Sequence, residues 1–270
     1  MKNISALIVL VFLLASCTER IELDLNDNQN RRIVVEGEIT NEQIAHEIKL
    51  TWTADYFVNE LPEPVTGAIV TISDGTNLYN LTEAGNSGRY YTDVNVQGSP
   101  LSEHTLTIDY EGELFTGKDI MYSVPEILMI ATDETEAPEG EEPGEYDLLL
   151  WTQETPDEDN WYMWRVFING VAENDTLSNI FFTSDQGSDG AFLEGIPVYE
   201  LDAFPGDTII LEQYAVSEQA NDTWLAMLFE TEFRGGLFDS PPANVETNMS
   251  NGALGYFGAY TVSRDTTIVQ

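Results

Sequence analysis

The residues best placed to do chemistry are Leu14-Ala15-Ser16-Cys17, which contain the only cysteine of the chain. Small side chains directly before a lone cysteine are what bacterial lipoprotein processing requires, because the peptidase needs small residues beside the cut and the thiol takes the lipid. Met1-Lys2 is a short basic start, and residues 4–14 form an apolar run shorter than the ~20 residues of a membrane-spanning helix. We therefore expect a signal peptide over residues 1–16 and a lipid on Cys17. The alternative is an ordinary signal peptide followed by a chance cysteine.

The rest of the sequence contains few candidate residues for nucleophilic catalysis or for zinc binding. The only histidines are His46 and His104, in strand-like or loop-like sequence, and no Gly-x-Ser-x-Gly motif is present to hold a nucleophile. No His-Glu-x-x-His motif and no cysteine pair indicates zinc. The 48 acidic residues offer many carboxylate pairs, but only a cleft with two of them ~5–10 Å apart would indicate glycoside hydrolysis. We predict that the protein is not an enzyme and has no catalytic residues.

Calcium is the metal that fits the sequence best, because hard cations prefer oxygen ligands. Residues 185–190 (DQGSDG) resemble part of an Asp-rich calcium loop, which makes Asp185 and Asp189 the candidate ligands. Gly187 occupies the third ligand position, however, and no closing glutamate follows at the required spacing. A plain Gly/Asp turn is therefore the alternative, and no other metal or cofactor is predicted.

Aromatic residues offer a second kind of site. Trp161 and Trp164 lie in one strand-like run, and Tyr256 lies in a segment rich in glycine and aromatic residues. If these rings were exposed, they could stack on sugar rings and bind a glycan. If they were buried, they would fill a core, where a pair of rings adds ~0.5–1.5 kcal/mol beyond the burial of their area. We favour a core role and keep glycan binding as the alternative.

The charge of the chain limits its partners. Its 48 acidic residues outnumber 10 basic ones, for a net charge of −38. Such a surface repels nucleic acid and anionic lipid headgroups, so the link to a membrane would have to be the lipid on Cys17. It also discourages self-association. With 42% hydrophobic residues, the chain is a folded protein rather than an acidic tail.

The elements that position these residues are predicted to be mostly strands. After a lipidated tether over residues 17–30, residues 31–124 contain short β-branched runs with turn signals about every ten residues, which is typical of a sandwich. One of these runs places Ala68, Val70 and Ile72 on one face and ends at the turn Asp74-Gly75. We predict an N-terminal β-sandwich of the immunoglobulin or transthyretin type over residues 31–124.

Residues 125–270 are predicted to form a β-rich domain with one α-helix. The runs 127–130 and 148–151 flank an acidic, proline-containing loop and could pair as strands. The helix is predicted over residues 217–234, with Ser217 as its N-cap and Gly235-Gly236 as its end. A stripe of side chains with helical spacing supports it, namely Ala220, Trp224, Met227, Leu228 and Thr231.

Four segments of the chain, residues 33–41, 64–75, 238–245 and 251–260, resemble a family of outer-membrane lipoproteins that is widespread in Bacteroidota and named only as a domain of unknown function. The resemblance covers nearly the whole chain after Cys17, and the two C-terminal segments are its most specific part. Members are commonly encoded beside TonB-dependent outer-membrane receptors. The resemblance therefore implies an accessory protein of the outer membrane that partners such a receptor, on either the periplasmic or the cell-surface face. It supplies no catalytic residues.

Three Asp-Thr pairs resemble the sites at which exported proteins of this phylum are glycosylated. They would make Thr176, Thr208 and Thr266 the modified residues. The predicted strand at Thr208 argues against its use, and short matches of this kind are common by chance. Besides the accessory role, a glycan-binding lipoprotein and a calcium-dependent adhesin-like surface protein are the rival hypotheses.

Overall fold

The structure is a computed structural model that describes residues 31–54, 61–135, 145–157, 159–173, 180–232 and 245–270. Residues 1–30, with Cys17 and the predicted signal peptide and tether, lie outside the described residues, as do Thr176 and Gly235-Gly236. All the elements below belong to one compact unit, which comprises Arg32–Thr53 and Pro62–Gln270. The described residues are mostly β with one helix, so the predicted fold class is confirmed.

The described ranges form sixteen strands and one helix. In chain order they are β1 (Ile33–Thr40), β2 (Glu47–Trp52), β3 (Ile69–Ser73), β4 (Leu78–Asn80), β5 (Thr82–Glu83), β6 (Arg89–Tyr91), β7 (Glu103–Tyr110), β8 (Glu113–Ile120), β9 (Ile127–Glu134), β10 (Glu145–Gln153), β11 (Trp161–Ile168), β12 (Val171–Ala172), β13 (Phe181–Ser184), β14 (Phe192–Asp202), β15 (Thr208–Val216), α1 (Glu218–Glu232) and β16 (Leu254–Ile268).

These strands form one central sheet and two smaller sheets. The central sheet has nine strands in the order β12-β11-β15-β16-β1-β2-β6-β5, and β13 also pairs with β11. The smaller sheets have the orders β4-β3-β7-β8 and β14-β10-β9. The central sheet takes strands from both sides of residue 124, where the sequence predicts a domain boundary, whereas each smaller sheet lies on one side of it. The division into two domains stays a prediction.

The long strand β16 joins the two halves of the central sheet. Its first half pairs in parallel with β1, from Val34↔Leu254 to Thr40↔Tyr260. Its second half pairs in antiparallel fashion with β15, from Ala215↔Thr261 to Thr208↔Ile268. The partners lie on opposite edges of β16, so each half of this strand has a different neighbour. None of the described strands pairs with the other edge of either half.

Each smaller sheet packs on one face of the central sheet over its own core. The first core combines Val35 and Leu50 of the central sheet with Val70, Ile72 and Leu106 of the four-stranded sheet. The prediction that Val70 and Ile72 of β3 lie on a buried face is thereby confirmed. The arrangement of the two sheets is sandwich-like. The second core combines side chains of the three-stranded sheet with those of β11 and β15, including Leu148, Leu150, Trp164, Val166 and Leu211.

The helix α1 packs on the opposite face of the central sheet. It starts where predicted, because the Ser217 hydroxyl accepts a hydrogen bond from the Ala220 main-chain N–H at 3.1 Å. Ala220 and Trp224 pack against Met163 and Tyr260 in a third apolar cluster. The helix therefore covers the face of β11, β15 and β16 that the two smaller sheets leave open.

Polar side chains take the place of a strand along the open edge in the first half of β16. The Asn248 amide accepts a hydrogen bond from the Phe257 N–H at 3.0 Å and donates one to the Phe257 carbonyl at 2.7 Å. The Asp119 carboxylate accepts a hydrogen bond from the Ala259 N–H at 3.0 Å. Main-chain groups on this buried edge are therefore satisfied without a partner strand, as buried polar groups must be.

The close approach of β1 and β16 requires a glycine at position 255. Gly255 has a φ of +86°, and a Cβ there would collide with the Val35 carbonyl. We expect Gly255→Ala to lower the free energy of unfolding in denaturant titrations. A positive φ alone costs an alanine about 1–2 kcal/mol, and overpacking adds roughly 1–3 kcal/mol.

Gly112→Ala is the matched control for this substitution. Gly112 has nearly the same φ, +87°, but a Cβ there would meet nothing within 4 Å. It should show the cost of the backbone conformation alone. Equal losses of stability in the two variants would contradict the close approach of β1 and β16.

Candidate functional site

A groove lies between α1 and the outer face of the central sheet, and we call it the α1 groove. Its cavity has a volume of about 710 Å³, within the ~300–1,000 Å³ of small-molecule sites. Trp224 and Met227 of α1 form one wall, and the opposite wall contains Ile44 and Lys49. Between these walls the groove follows β1 from Val34 to Thr40 and includes residues of β16.

Two tyrosines from β16 line the groove beside the helix. The Tyr256 hydroxyl lies 3.4 Å from the Ser217 hydroxyl, and the Tyr260 hydroxyl accepts a hydrogen bond from Trp224 Nε1 at 3.3 Å. Both tyrosines are buried, and this burial raises the pKa of each phenol above its ordinary value. Their hydroxyls are therefore neutral at physiological pH and hold the helix to the sheet.

Every carboxylate that lines the groove has a cationic partner. Glu36 pairs with Lys49 at 2.9 Å, and Glu47 pairs with Arg89. Glu38 pairs with Arg165 at 3.5 Å. In a chain with a net charge of −38, these charges nearly cancel one another, which distinguishes the groove from the rest of the surface.

Arg165 ties β11 to β1 across this face of the sheet. Its guanidinium lies 4.7 Å from the centre of the Tyr214 ring, within the range of a cation–π contact. Burial acts to lower the pKa of Arg165, but the negative charges of Glu38 and Glu212 outweigh it, so the pKa is raised. The arginine is therefore a fixed positive charge beneath the groove.

A second arginine, Arg264, also links the strands on the two sides of β16. Arg264 of β16 pairs with Glu42, which follows β1, at 2.9 Å and with Glu212 of β15 at 2.6 Å. Glu212 also accepts a hydrogen bond from the Tyr214 hydroxyl at 2.6 Å. The strands that flank β16 on its two edges are thus joined by side chains as well as by main-chain pairing.

Asp119 is a buried carboxylate where β8, β16 and the start of α1 meet. It is 5% exposed and accepts hydrogen bonds from the main-chain N–H groups of Ile120 and Ala259, both at 3.0 Å. Burial raises the pKa of Asp119 to about 6, although hydrogen bonds from Ser217, Ala259 and Ile120 act to lower it. Its ionisation is therefore coupled to packing at this junction.

Neither histidine is placed to act as a base in this conformation. His46 accepts a hydrogen bond from the Thr40 N–H at Nδ1 and donates one from Nε2 to the Val96 carbonyl, both at 3.3 Å. His104 uses both ring nitrogens on main-chain groups of Ser99 and Ser102. Burial lowers the pKa of both rings, so we interpret them as neutral structural residues.

The three aromatic residues of the glycan-binding hypothesis do not form an exposed platform in this structure. Trp164 is 8% exposed and stacks on Phe181, with ring centroids 5.3 Å apart. Tyr256 is 4% exposed, and Trp161 is half-buried against the cluster under α1. A sugar could not stack on Trp164 or Tyr256 without moving other side chains. The aromatic side chain that lines the α1 groove from the helix is Trp224, which the sequence predicts only as part of the helical stripe.

The two calcium candidates accept hydrogen bonds from different partners. Asp185 is buried, and its carboxylate accepts hydrogen bonds from the Asn160 N–H at 3.2 Å and the Asn160 side chain at 3.3 Å. Asp189 instead accepts one from the Asp157 N–H at 2.9 Å. Across the described ranges, no group of three or more His, Cys, Asp or Glu side chains could hold a metal ion. Calcium binding stays a prediction.

Two of the three predicted glycosylation sites lie in described strands. Thr208 is half-buried at the start of β15, where its N–H donates a hydrogen bond to Asn169 at 3.0 Å. Thr266 is exposed in β16, and Thr176 lies outside the described residues. Of the two described sites, Thr266 therefore has the more accessible side chain.

These observations show that the described part of the protein is mostly β, with sandwich-like sheets, one helix and a charge-balanced groove beneath that helix. The part of the chain that the structure describes contains no helix long and apolar enough to cross a membrane. Residues 18–266 match the family described as "Domain of unknown function (DUF4249)", and the chain belongs to this family. The predicted membership of this family is thereby confirmed, whereas the lipid anchor and the bacterial group stay predictions. No protein of curated function matches the chain.

The burial of Asp119 predicts a specific dependence of stability on pH. The pKa of Asp119 is about 6 in the folded state and near 3.8 in the unfolded state. Between pH 3.8 and pH 6, the folded state therefore binds a proton more tightly than the unfolded state does. The free energy of unfolding should therefore fall as pH rises from 4 to 6, by up to about 3 kcal/mol, and this loss persists above pH 6. Asp119→Asn should remove this contribution in urea titrations over pH 4–7.

Asp265→Asn is the control for this experiment. Asp265 also accepts two main-chain hydrogen bonds, from Ile130 at 3.1 Å and Thr266 at 2.8 Å, but at a more exposed position. That variant should keep the pH dependence attributed to Asp119. An Asp119→Asn curve that is parallel to the wild-type curve would contradict the assignment.

Proposed function

We propose that the protein is a lipid-anchored accessory protein of the outer membrane that partners a TonB-dependent nutrient receptor in a bacterium of the Bacteroidota. The observation that carries this proposal is the segment Leu14-Ala15-Ser16-Cys17 after a basic start and a short apolar run. The lipid on Cys17 fixes the protein at the membrane, because two or more acyl chains give stable anchoring. The receptor is proposed from the family resemblance.

The charge distribution supports a protein partner. Net charge of −38 keeps copies of the chain apart and raises the rate of encounter with a complementary basic surface. Contact through loops and the edges of sheets suits the fold, since β4 and β14 end their sheets. The edge of β14 is interrupted at Pro197, which cannot donate a ladder hydrogen bond, so pairing there would be limited to a few residues.

Glycan binding is the second candidate function, and one observation favours it. The α1 groove has an aromatic wall and paired charges, although Trp164 and Tyr256 are buried and Trp161 is half-buried. The groove therefore provides a different location for the same class of ligand. A calcium-dependent adhesin is supported by no arrangement of the described carboxylates.

Affinity capture tests the accessory role. The tagged full chain is extracted from its own outer membrane in a mild detergent, and the proteins captured with it are identified and quantified by mass spectrometry. We expect a TonB-dependent receptor in near-stoichiometric amount. Recovery of the lipoprotein alone would contradict a stable complex with a receptor.

Cys17→Ser is the control for the anchor. Without the thiol, the chain cannot take the lipid, so we expect this variant in the soluble fraction and the wild-type chain in the membrane fraction after cell lysis. Its capture should recover much less receptor, because the two proteins no longer share a membrane. A Cys17→Ser chain that still sediments fully with membranes would contradict lipidation as the link.

A further inference from the structure

We propose that the α1 groove binds a neutral oligosaccharide. This inference deepens the second candidate function, glycan binding, and rests on it. It is independent of the accessory role, because it concerns a ligand of the isolated protein and requires no receptor. It rests on the side chains that line the groove, on the balance of their charges and on the length of the groove along β1.

The helix side of the groove offers apolar and aromatic surface. Trp224 and Met227 line it from α1, and Tyr256 and Tyr260 line it from β16. The tyrosine hydroxyls are already engaged with Ser217 and Trp224. Because both tyrosines are buried, the side chains left to contact a ligand on this side are Trp224 and Met227, which are half-buried. Their apolar surface suits the C–H face of a pyranose ring.

The opposite side offers hydrogen-bonding groups without net charge. Glu36 and Lys49 form an ion pair at 2.9 Å, and both side chains are partly exposed. An ammonium group has three donors and a carboxylate has about four acceptor positions, so each retains capacity after pairing. Arg89 and Glu47 form a second such pair. Alternating donors and acceptors suit the vicinal hydroxyls at the edge of a sugar ring.

Charge balance favours a neutral ligand over a charged one. The ion pairs cancel within the groove, so it gives a cation no particular advantage over the many carboxylates elsewhere on the surface. An anion is repelled by the net charge of −38. A purely apolar ligand would leave the polar wall without partners, and unpaired polar groups cost binding free energy. A polyhydroxylated, uncharged ligand meets both walls.

The shape of the groove favours an oligosaccharide over a single sugar. It follows β1 from Val34 to Thr40, and a strand rises ~3.3 Å per residue, so its length is roughly 20 Å. Its volume is about 710 Å³. Both exceed the size of one pyranose ring, so several linked rings would be in contact with the protein.

Calorimetry with defined oligosaccharides tests this proposal. The full chain, in a detergent without a sugar headgroup, is titrated with maltohexaose, cellohexaose and mannohexaose, and with hexagalacturonate as the anionic comparison. We expect at least one neutral hexasaccharide to bind and hexagalacturonate to bind more weakly. Trp224→Ala should lower the affinity about tenfold or more, as expected for an aromatic anchor.

Matched variants separate the groove from the rest of the surface. Phe229→Ala changes another aromatic residue of α1, which is 67% exposed and does not line the groove, and it should leave the affinity unchanged. Lys49→Ala should also weaken binding, whereas Lys118→Ala, which breaks the exposed pair with Glu103, should not. These lysine variants keep the test decisive if Trp224→Ala fails to fold.

Three results would overturn the proposal. One is that none of the neutral hexasaccharides binds. Another is that the anionic hexasaccharide binds more tightly than the neutral ones. The third is that the control variants lose affinity as much as the groove variants. Because the titration uses the purified protein alone, these outcomes are independent of whether a receptor is captured.

Discussion

The central sheet depends on one strand that has two different partners. The first half of β16 pairs in parallel with β1, and its second half pairs with β15 on the opposite edge. Without β16, the strands on its two sides would form separate sheets, each with an unsatisfied edge. The helix, the groove beneath it and the ion pairs around Arg165 all lie on the face that β16 makes continuous. Any site on this face therefore depends on the position of one strand.

This arrangement carries a cost, because each half of β16 has an edge that pairs with none of the described strands. Asn248 and Asp119 supply hydrogen bonds along the first half, and the Asn41 side chain accepts one from the Val262 N–H in the second half. Satisfying main-chain groups in this way buries a carboxylate, Asp119, in a place where its ionised form is disfavoured. The raised pKa is thus a consequence of the topology and is not by itself a sign of catalysis.

Local patterns in the sequence predict much of the fold. The inward face of Val70 and Ile72, the pairing of β9 with β10 and the Ser217 cap follow from neighbouring residues alone, and the structure confirms them. The parallel pairing of β1 with β16 has no local signature. The burial of the aromatic residues in β11 could not be predicted from local sequence either. Both faces of this strand are covered by distant elements, one by the second core and the other by the cluster under α1. Asp119 could not be distinguished among 48 acidic residues, since its burial depends on distant strands.

The pairing of an early strand with the last one sets the order in which the molecule can be completed. Asn41, just after β1, contacts Val262 of β16 through a hydrogen bond between residues 221 positions apart. During synthesis, β1 is therefore made long before the strand that covers its edge. Until that strand arrives, β1 exposes a β-branched edge of the kind that promotes aggregation. Long-range pairing of this kind also slows folding. The growing chain consequently passes through a long interval in which a molecular chaperone would have an open strand to protect.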